Sequence, residues 1–226
     1  MLPKLKLCGN HSSQDLENTM KSEADYLGFV FAESKRKVTS EQVTKWLQKY
    51  TDEPIKQQLV ALFVNEEIDV IKQTMEEVPF DIVQCHGSES PQYVEALRKK
   101  VKQPIWKVIH SNEQALTYMG SFAGLVDAFI IDYRHEGAWG GTGQRFDWGE
   151  IPLYQQEANK QQVPLFIAGG INNTNINQLL TFHVDGIDVS SGIEQDGFKS
   201  EQLIAELVER MRENEKHISR SKGALR

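Results

Sequence analysis

The sequence is dominated by a regular alternation of short strand-like runs and longer segments of helical periodicity. Runs rich in β-branched and other apolar residues predict eight strands, at residues 5–8, 26–31, 58–64, 82–85, 105–109, 128–132, 165–168 and 186–189. Apolar residues at helical spacing predict helices at 40–50, 66–77, 91–101, 174–182 and from about 200 to 211, with Ser40 and Ser90 as N-caps. Eight strands, each followed by a helix, predict an α/β fold made of a single (β/α)8 TIM barrel.

An open, doubly wound sheet is the main alternative for such an alternation. It usually has about five or six strands and a glycine-rich turn after the first, whereas the first strand here runs into Cys8-Gly9-Asn10. A chain of 226 residues without a Pro-, Gly- or Ser-rich linker is expected to form one domain. We place the barrel at residues 1–211 and interpret 212–226, with five basic and two acidic residues, as a solvated basic tail or an extension of the last turn.

The composition argues against several classes of protein. With 39% hydrophobic and 25% charged residues and a net charge of −7, it is typical of a globular protein that does not bind nucleic acid. No apolar run approaches the ~18 residues of a membrane span, and the first residues resemble a strand rather than a secretory signal, so a cytoplasmic location without a membrane partner is expected. Cys8 and Cys85 form no CxxC motif and the histidines show no metal-ligand spacing, so we expect no disulfide and no metal.

Phosphate binding is the first function that the strand ends indicate. In a parallel barrel the active site lies at the carboxyl ends of the strands. Gly169 and Gly170 follow the seventh predicted strand, and Ser190, Ser191 and Gly192 follow the eighth. Glycines let backbone N–H groups approach an anion and serines add hydroxyl donors. Each turn alone is common, but two of them at the strand ends where barrels often hold phosphate predict a phosphate site.

Asp132 and Cys8 are the candidate acid and base. Asp132 closes the apolar strand 128–132, where partial desolvation would raise its pKa, as suits a general acid. The alternative is a helix cap or a turn residue. Cys8 closes the first strand, where its thiolate could act as a base, the alternative being a small buried hydrophobic residue.

Side-chain alternation predicts a buried ion pair beneath Cys8. Leu5 and Leu7 suit the helix-covered outside of the barrel, which places Lys6 and Cys8 inside. Asp188 faces inward from the eighth strand, which neighbours the first in a closed barrel. We expect Lys6 and Asp188 to pair, because either charge alone would be costly there. Lys6 would then lie roughly 6–7 Å below Cys8 and favour its thiolate.

Two loops carry further candidates. Three glycines within residues 140–143 predict a mobile loop that covers the site. The loop at 33–37 contains three consecutive cations, with Arg36 in the middle. This segment is either a solvated charge run or a source of an arginine fork that binds a carboxylate or a second anion of the substrate.

Taken in order, these motifs resemble the phosphoribosylanthranilate isomerase family of tryptophan biosynthesis. The resemblance extends to about Met211. It rests on Lys6-Leu7-Cys8-Gly9, residues 24–31 followed by Ser34-Lys35-Arg36, Gln84-Cys85-His86-Gly87, Asp132, 140–143, 146–148, 168–170 and 188–192. The chain departs from the family pattern at Asn10, where an apolar residue is more usual, and at Cys85, where an aliphatic one is. By alternation Cys85 points outward and is a packing residue.

The resemblance implies an Amadori rearrangement of N-(5-phosphoribosyl)anthranilate without a cofactor or metal. Asp132 would protonate the furanose ring oxygen, Cys8 as a thiolate would remove the proton from C2, and Arg36 would hold the anthranilate carboxylate. The backbone around Gly169, Gly170, Ser190, Ser191 and Gly192 would hold the phosphate, and we add His86, Gly141 and Gly143 to the substrate-binding set. The expected partner is a small phosphoribosyl substrate, and the protein is expected to be a monomer or a homodimer.

Two other functions remain open at this point. The aminoimidazole-carboxamide ribotide isomerase of histidine biosynthesis performs the same rearrangement, but it has a carboxylate where Cys8 stands, and its second phosphate would need a glycine-rich turn after strands three and four. A catalytically silent barrel that binds a phosphosugar is the second. The presence of both Cys8 and Asp132 argues against it.

Overall fold

Eight parallel strands close into a barrel in which each strand pairs with its sequence neighbours and the first pairs with the last. The computed structural model describes residues 2–50, 55–132 and 147–223, with side chains as far as 214. The strands are Lys4–Cys8 (β1), Tyr26–Val30 (β2), Gln58–Phe63 (β3), Ile82–Cys85 (β4), Ile105–His110 (β5), Ala128–Asp132 (β6), Leu165–Ile167 (β7) and Gly186–Val189 (β8). The predicted TIM barrel is confirmed, and each strand lies within a residue of its predicted bounds.

Helices cover the outside of the barrel. They are Ser13–Met20 (α1), Ser40–Leu47 (α2), Ile68–Glu77 (α3), Pro91–Arg98 (α4), Ala115–Gly120 (α5), Ile151–Gln161 (α6), Ile176–Leu180 (α7) and Glu201–Gly223 (α8). Short 3-10 helices lie at Gln48–Tyr50, Trp148–Glu150 and Ser191–Ile193, and a small antiparallel hairpin, Glu194–Gln195 (β9) with Phe198–Lys199 (β10), precedes α8. In the part of the chain that the structure describes, no helix combines the length and apolar character of a membrane span.

Of the two predicted N-caps, Ser90 is confirmed and Ser40 is wrong. Ser90 caps α4, since its hydroxyl accepts a hydrogen bond from the amide of Tyr93, as predicted. The assignment of Ser40 was wrong, because Thr39 is the N-cap of α2. Thr39 and Gln42 form a reciprocal capping box, which satisfies two backbone donors where Ser40 would satisfy one.

The last helix is longer than the predicted segment that ended near Met211. It continues to Gly223, so that most of the segment 212–226 extends α8. The physical reason is that residues 202–222 contain neither glycine nor proline and consist largely of good helix formers, so nothing in the sequence stops the helix before Gly223.

Alternating strand residues divide the core into an inner and an outer part. Leu5, Leu7 and Cys85 face the helices and belong to the large outer core, as predicted. The inner core consists of Val60, Ile82, Trp106, Val108, Ala128, Ile130, Phe166 and Ala168. A small group formed by Cys8, Val30 and Leu62 lies inside the barrel at the carboxyl side. Cys8 therefore lies in a small group at the carboxyl ends of the strands, separate from the apolar inner core.

Four aspartates fasten the opposite, amino-terminal face of the barrel. Each directly precedes an even-numbered strand, and its carboxylate accepts a hydrogen bond from a backbone amide of the preceding odd-numbered strand. The pairs are Asp25 with Leu5 (2.8 Å), Asp81 with Leu59 (2.7 Å), Asp127 with Ile105 (2.8 Å) and Asp185 with Leu165 (2.9 Å). We call these four bonds the aspartate clamps. They join the strands in pairs at the end remote from the polar residues of the interior.

Candidate active site

A cavity at the carboxyl ends of the strands brings most of the predicted site residues together. It encloses about 750 Å³ including its open mouth. The predicted residues that line it are Cys8, Arg36, His86, Asp132, Gly169, Gly170, Ser190 and Ser191. Gly192 lies next to it in the 3-10 helix Ser191–Ile193. The predictions for Gly141, Gly143 and the covering loop concern residues outside the described ranges.

Cys8 stands at the end of β1, above a buried ion pair. Its side chain faces the cavity and is 6% exposed. Two residues earlier, the fully buried Lys6 donates hydrogen bonds from Nζ to Asp188 Oδ1 (3.0 Å) and Oδ2 (2.9 Å). Lys6 and Asp188 are register partners where β1 meets β8. The predicted pair is confirmed, and it gives each charge a partner that the barrel interior would otherwise lack.

The thiol of Cys8 experiences opposing electrostatic effects. Burial raises its pKa, the charge of Lys6 lowers it, and that of Asp188 raises it, so that the net direction is upward. Lys6 favours the thiolate, as predicted, but burial has the larger effect. Gly28 of β2 leaves the space in which these groups meet, because a β-carbon there would lie 2.7 Å from Cys8 Sγ and 3.1 Å from Lys6 Nζ.

Asp132 ends β6 on the other side of the same cavity and contacts an ordered histidine. Asp132 is 6% exposed, and its Oδ2 lies 3.4 Å from His86 Nε2. Gln84 Nε2 donates to His86 Nδ1 at 3.2 Å, which leaves the proton of a neutral His86 on the nitrogen that faces Asp132. His86 was predicted only as a substrate-binding residue, and its contact with Asp132 was not predicted.

A second histidine supports the first from β5. The ring of His110 packs edge-on against that of His86, and its Nε2 donates to the carbonyl oxygen of His86 at 2.9 Å. Burial and the neighbouring His86 lower the pKa of His110 to about 4, so His110 is neutral at physiological pH. Two hydrogen bonds, one to the ring and one to the backbone, therefore hold His86 toward Asp132.

The loop that carries His86 is anchored on the outside of the barrel by a buried ion pair. Lys107 of β5 is fully buried and donates to Glu89 Oε2 and to the carbonyl of Gly87, both at 2.8 Å. Glu89 Oε1 in turn accepts the amides of Asn65 (2.8 Å) and Gly87 (2.9 Å). Burial alone would raise the pKa of Glu89, but Lys107 and backbone hydrogen bonds, among them that of Asn65, lower it. The pair ties the loops after β3 and β4 together.

Arg36 lines the cavity but is already bound to a carboxylate on one edge. Its Nε donates to Glu194 Oε1 at 2.6 Å and its Nη2 to Glu194 Oε2 at 2.9 Å. The buried Lys199 also donates to Glu194 Oε1, at 2.8 Å. Burial opposes ionisation of Glu194, but Arg36 and Lys199 outweigh it and lower its pKa to about 2. Neither Glu194 nor Lys199 was predicted as a site residue. Glu194 lies 158 residues from Arg36 along the chain, so their contact leaves no local signal.

The two glycine-containing turns lie side by side at the ends of β7 and β8. Gly169 and Gly170 have positive φ values of 83° and 64°. Asn175 and Asn172 donate to the carbonyl oxygen of Gly170 at 2.8 and 3.2 Å, which fixes the orientation of that peptide. At Gly192 a β-carbon would overlap the carbonyl oxygen of Ile171, so only glycine lets the second turn pack against the first.

Asn10 closes the loop after β1. Asn10 is fully buried, and its side-chain amide donates to the carbonyls of Leu7 (3.2 Å) and Gly28 (3.1 Å). Its side-chain oxygen accepts from the hydroxyl of Thr19 at 2.8 Å. Every polar group of this side chain is used, so Asn10 holds the loop beside Cys8 against β2 and α1.

Candidate metal-ligating side chains do not cluster in the described part of the chain. Residues 2–50, 55–132 and 147–223 contain no group of three or more His, Cys, Asp or Glu side chains arranged to hold a metal ion. The groups that line the cavity include a thiol, carboxylates, an imidazole and a guanidinium, which suit proton transfer and anion binding.

Comparison with known proteins gives consistent results. The family model of N-(5'-phosphoribosyl)anthranilate isomerase matches residues 5–210. The protein of that name from Halalkalibacterium halodurans is 50% identical over 220 residues, which cover 97% of this chain and 100% of the relative. Phosphoribosyl anthranilate isomerase from Thermotoga maritima has the same fold, with a TM-score of 0.79 at 24% identity over 93% of this chain and 99% of that one.

A further solved structure carries a ligand. It is a phosphoribosyl anthranilate isomerase in complex with reduced 1-(o-carboxyphenylamino)-1-deoxyribulose 5-phosphate, and it aligns with a TM-score of 0.76 at 24% identity, covering 93% of this chain and 99% of that one. The ligand of that protein has a phosphate at one end and a carboxylate at the other.

Proposed function

The chain belongs to the N-(5'-phosphoribosyl)anthranilate isomerase family, and from this we propose that Cys8 and Asp132 are the groups that perform its reaction. The protein is an isomerase of tryptophan biosynthesis, which converts N-(5'-phosphoribosyl)anthranilate to 1-(2-carboxyphenylamino)-1-deoxyribulose 5-phosphate. The observation that carries the proposal is that a buried thiol and a buried carboxylate face one cavity from β1 and β6, beside a guanidinium and two glycine-containing turns.

The first step is ring opening, with Asp132 as the acid. Asp132 gives its proton to the furanose ring oxygen, and the bond from that oxygen to C1 breaks while the nitrogen lone pair forms the C1=N iminium. Protonation of the leaving oxygen is required because an alkoxide is a poor leaving group at neutral pH. His86 Nε2, 3.4 Å from Asp132 Oδ2, stabilises the carboxylate that this step leaves behind.

The second step is proton removal from C2, with Cys8 as the base. The iminium acidifies this proton, and its loss to the thiolate gives the enolamine. C1 then gains a proton and the C2 hydroxyl loses one, which yields the ketose without net gain or loss of electrons. Lys6 supports this step because its charge lowers the pKa of the thiol, which burial otherwise raises.

Two anchors hold the substrate between acid and base. Arg36 binds the anthranilate carboxylate, and the backbone of the paired turns, Gly169-Gly170 and Ser190-Ser191-Gly192, binds the phosphate. His86 completes the contacts to the sugar. Because both ends of the small substrate are held, its C2 is oriented toward Cys8 and its ring oxygen toward Asp132.

The loops after β3 and β4 argue against the aminoimidazole-carboxamide ribotide isomerase reaction of histidine biosynthesis. A substrate with two phosphates would need a second anion cradle there, half a barrel away from the first. The loops after these strands are instead joined by the carboxylate of Glu89, which already accepts the amides of Asn65 and Gly87. A carboxylate that occupies these amides would repel a second phosphate.

The proposal includes the domain bounds, the cellular location, the partner and the oligomeric state. We assign the catalytic barrel to residues 1–211, the location to the cytoplasm, and the partner to a single phosphoribosyl substrate. The protein is a monomer or a homodimer, and sedimentation equilibrium at micromolar concentration distinguishes the two.

A fluorescence assay tests the function and the roles together. Anthranilate ribotide loses its fluorescence on isomerisation, so the wild type and the Cys8→Ala and Asp132→Asn variants are compared side by side. The proposal expects turnover in the wild type only. Full activity in Cys8→Ala would overturn the assignment of the base, and tight binding of the substrate without turnover in the wild type would favour a catalytically silent barrel.

A further inference from the structure

We propose that Glu194 is a positioning residue for Arg36, which it holds by one edge so that the opposite edge is presented to the carboxylate of the substrate. This inference rests on the proposed function, in which Arg36 binds the anthranilate carboxylate. It adds a residue from the hairpin after β8 to the determinants of substrate specificity.

Glu194 occupies only one hydrogen-bonding edge of the Arg36 guanidinium. Glu194 accepts from Nε and Nη2 of Arg36, which together form one edge of the planar group. The other edge consists of Nη1 and the second hydrogen of Nη2, a parallel pair of donors that fits another carboxylate. Within the described residues, Glu194 is the one hydrogen-bond partner of the Arg36 guanidinium, and Arg36 lines the cavity whereas Glu194 does not.

Three cations surround the carboxylate of Glu194. Lys199 Nζ, which is fully buried, donates to Glu194 Oε1 at 2.8 Å and to the carbonyl of Ser190 at 3.0 Å. The exposed Lys35 lies 3.6 Å from Glu194 Oε2. The Glu194 carboxylate therefore faces two buried cations, Arg36 and Lys199, and one exposed cation, Lys35. The cluster retains a net positive charge, which favours binding of an additional anion.

The hairpin of β9 and β10 holds Glu194 in place. Glu194 and Lys199 are cross-strand partners in the hairpin of β9 and β10. The backbone amide of Lys199 donates to the buried Asp15 of α1, and its carbonyl accepts from Asn18, both at 2.8 Å. Arg36 is a long side chain that would otherwise lose rotational freedom when the substrate binds. A partner fixed to α1 removes that freedom beforehand, which favours binding.

The sign of the KM change in Glu194→Gln separates positioning from simple electrostatics. The substitution removes a negative charge next to the substrate's carboxylate, so a purely electrostatic role predicts a lower KM. A positioning role predicts a KM that rises about tenfold, or ~1.4 kcal/mol, with kcat little changed. An unchanged or lower KM would overturn the proposal. Glu194→Asp, which keeps the charge but shortens the reach, should raise KM as well, and a wild-type KM in that variant would equally overturn it.

A pair of inhibitors excludes a merely structural role. We would measure, by calorimetry, binding of 1-(2-carboxyphenylamino)-1-deoxyribitol 5-phosphate and of its counterpart without the carboxyl group. The wild type should prefer the first, and Glu194→Gln should lose most of that preference while binding the second as before. Equal weakening of both compounds would overturn the proposal in favour of a general structural effect.

Two controls complete the test. Glu201→Gln removes an exposed carboxylate at the start of α8, which is paired with Lys21, and should leave the preference intact. The calorimetric comparison needs no turnover, so a wild type that binds both inhibitors but does not isomerise the substrate would refute the proposed function and leave the role of Glu194 measurable.

Discussion

Lys6 and Asp188 form a buried ion pair directly across the seam at which β1 and β8 close the barrel. The pair lies beneath Cys8, so it joins barrel closure to the chemistry of the site. Each member is costly without the other in such surroundings, and the pair therefore also fixes the register of the closing strands.

Removing Lys6 should shift the pH–rate profile toward alkaline pH. The charge of Lys6 lowers the pKa of the Cys8 thiol, and Asp188 raises it. In Lys6→Met the lowering effect is lost and the raising one persists, so the acidic limb of kcat/KM, which reports deprotonation of Cys8, should move up by about one pH unit or more. Activity then falls at neutral pH and recovers as the pH rises. A double variant, Lys6→Met with Asp188→Asn, removes both charges and controls for misfolding, and superimposable profiles of wild type and single variant would contradict the expectation.

Cys8→Ser and Asp132→Asn should each lower kcat by orders of magnitude while KM stays similar, because both groups act in the chemical step. Steady-state kinetics with anthranilate ribotide measures this. Cys85→Ala is the matched control, since Cys85 is also buried but faces the outer core. A loss of kcat in Cys85→Ala as large as in Cys8→Ser would show that packing, not proton transfer, explains the effect.

The aspartate clamps should contribute to stability without affecting catalysis. In Asp81→Ala the backbone amide of Leu59 loses its acceptor, and we expect a loss of about 1 kcal/mol in the free energy of unfolding. Urea denaturation measures this, with kcat and KM as the internal reference. Asp81→Asn keeps an acceptor oxygen and should recover much of the loss, whereas a change in kcat in either variant would tie the clamp to the site instead.

The Glu194 ion pairs should stabilise the fold in a pH-dependent way. Arg36 and Lys199 lower the pKa of Glu194 to about 2 in the folded state, against roughly 4.3 in an unfolded chain. The stabilisation is therefore fully present above pH ~4.3 and disappears as the pH falls through the folded-state pKa near 2. Urea unfolding of wild type and Glu194→Gln at several pH values should show a stability difference that narrows below pH ~4. A difference that is constant with pH would contradict this.

The elements of the barrel could be predicted because their signal is local. Strands such as Ala128–Asp132 are continuous apolar runs closed by a polar residue, and alternation alone located Lys6, Cys8 and Asp188 inside the barrel. The clamps left a signal too, since an aspartate precedes the predicted strands that begin at 26, 82, 128 and 186, but its meaning depends on which strands pair.

The remaining features depend on contacts that local patterns do not encode. The N-cap of α2 is an exception, because the spacing of Thr39 and Gln42 is a local capping-box signal that favours Thr39 over Ser40. Glu194 follows the phosphate-binding turn as an ordinary acidic residue, and only the folded chain brings Arg36 to it. The contact between His86 and Asp132 likewise joins β4 to β6 across the cavity.

The spacing of the clamps has a consequence for how the chain can be reconnected. Each clamp joins residues 20 or 22 positions apart, an odd strand to the next even strand, and none joins an even strand to the following odd one. The barrel is thus divided into four strand–helix–strand quarters. Circular permutants opened after α2, α4 or α6 keep every quarter whole, whereas permutants opened after α1, α3, α5 or α7 split one. The first group should refold more readily than the second, and the boundary between them is set by four aspartates on the face away from the substrate.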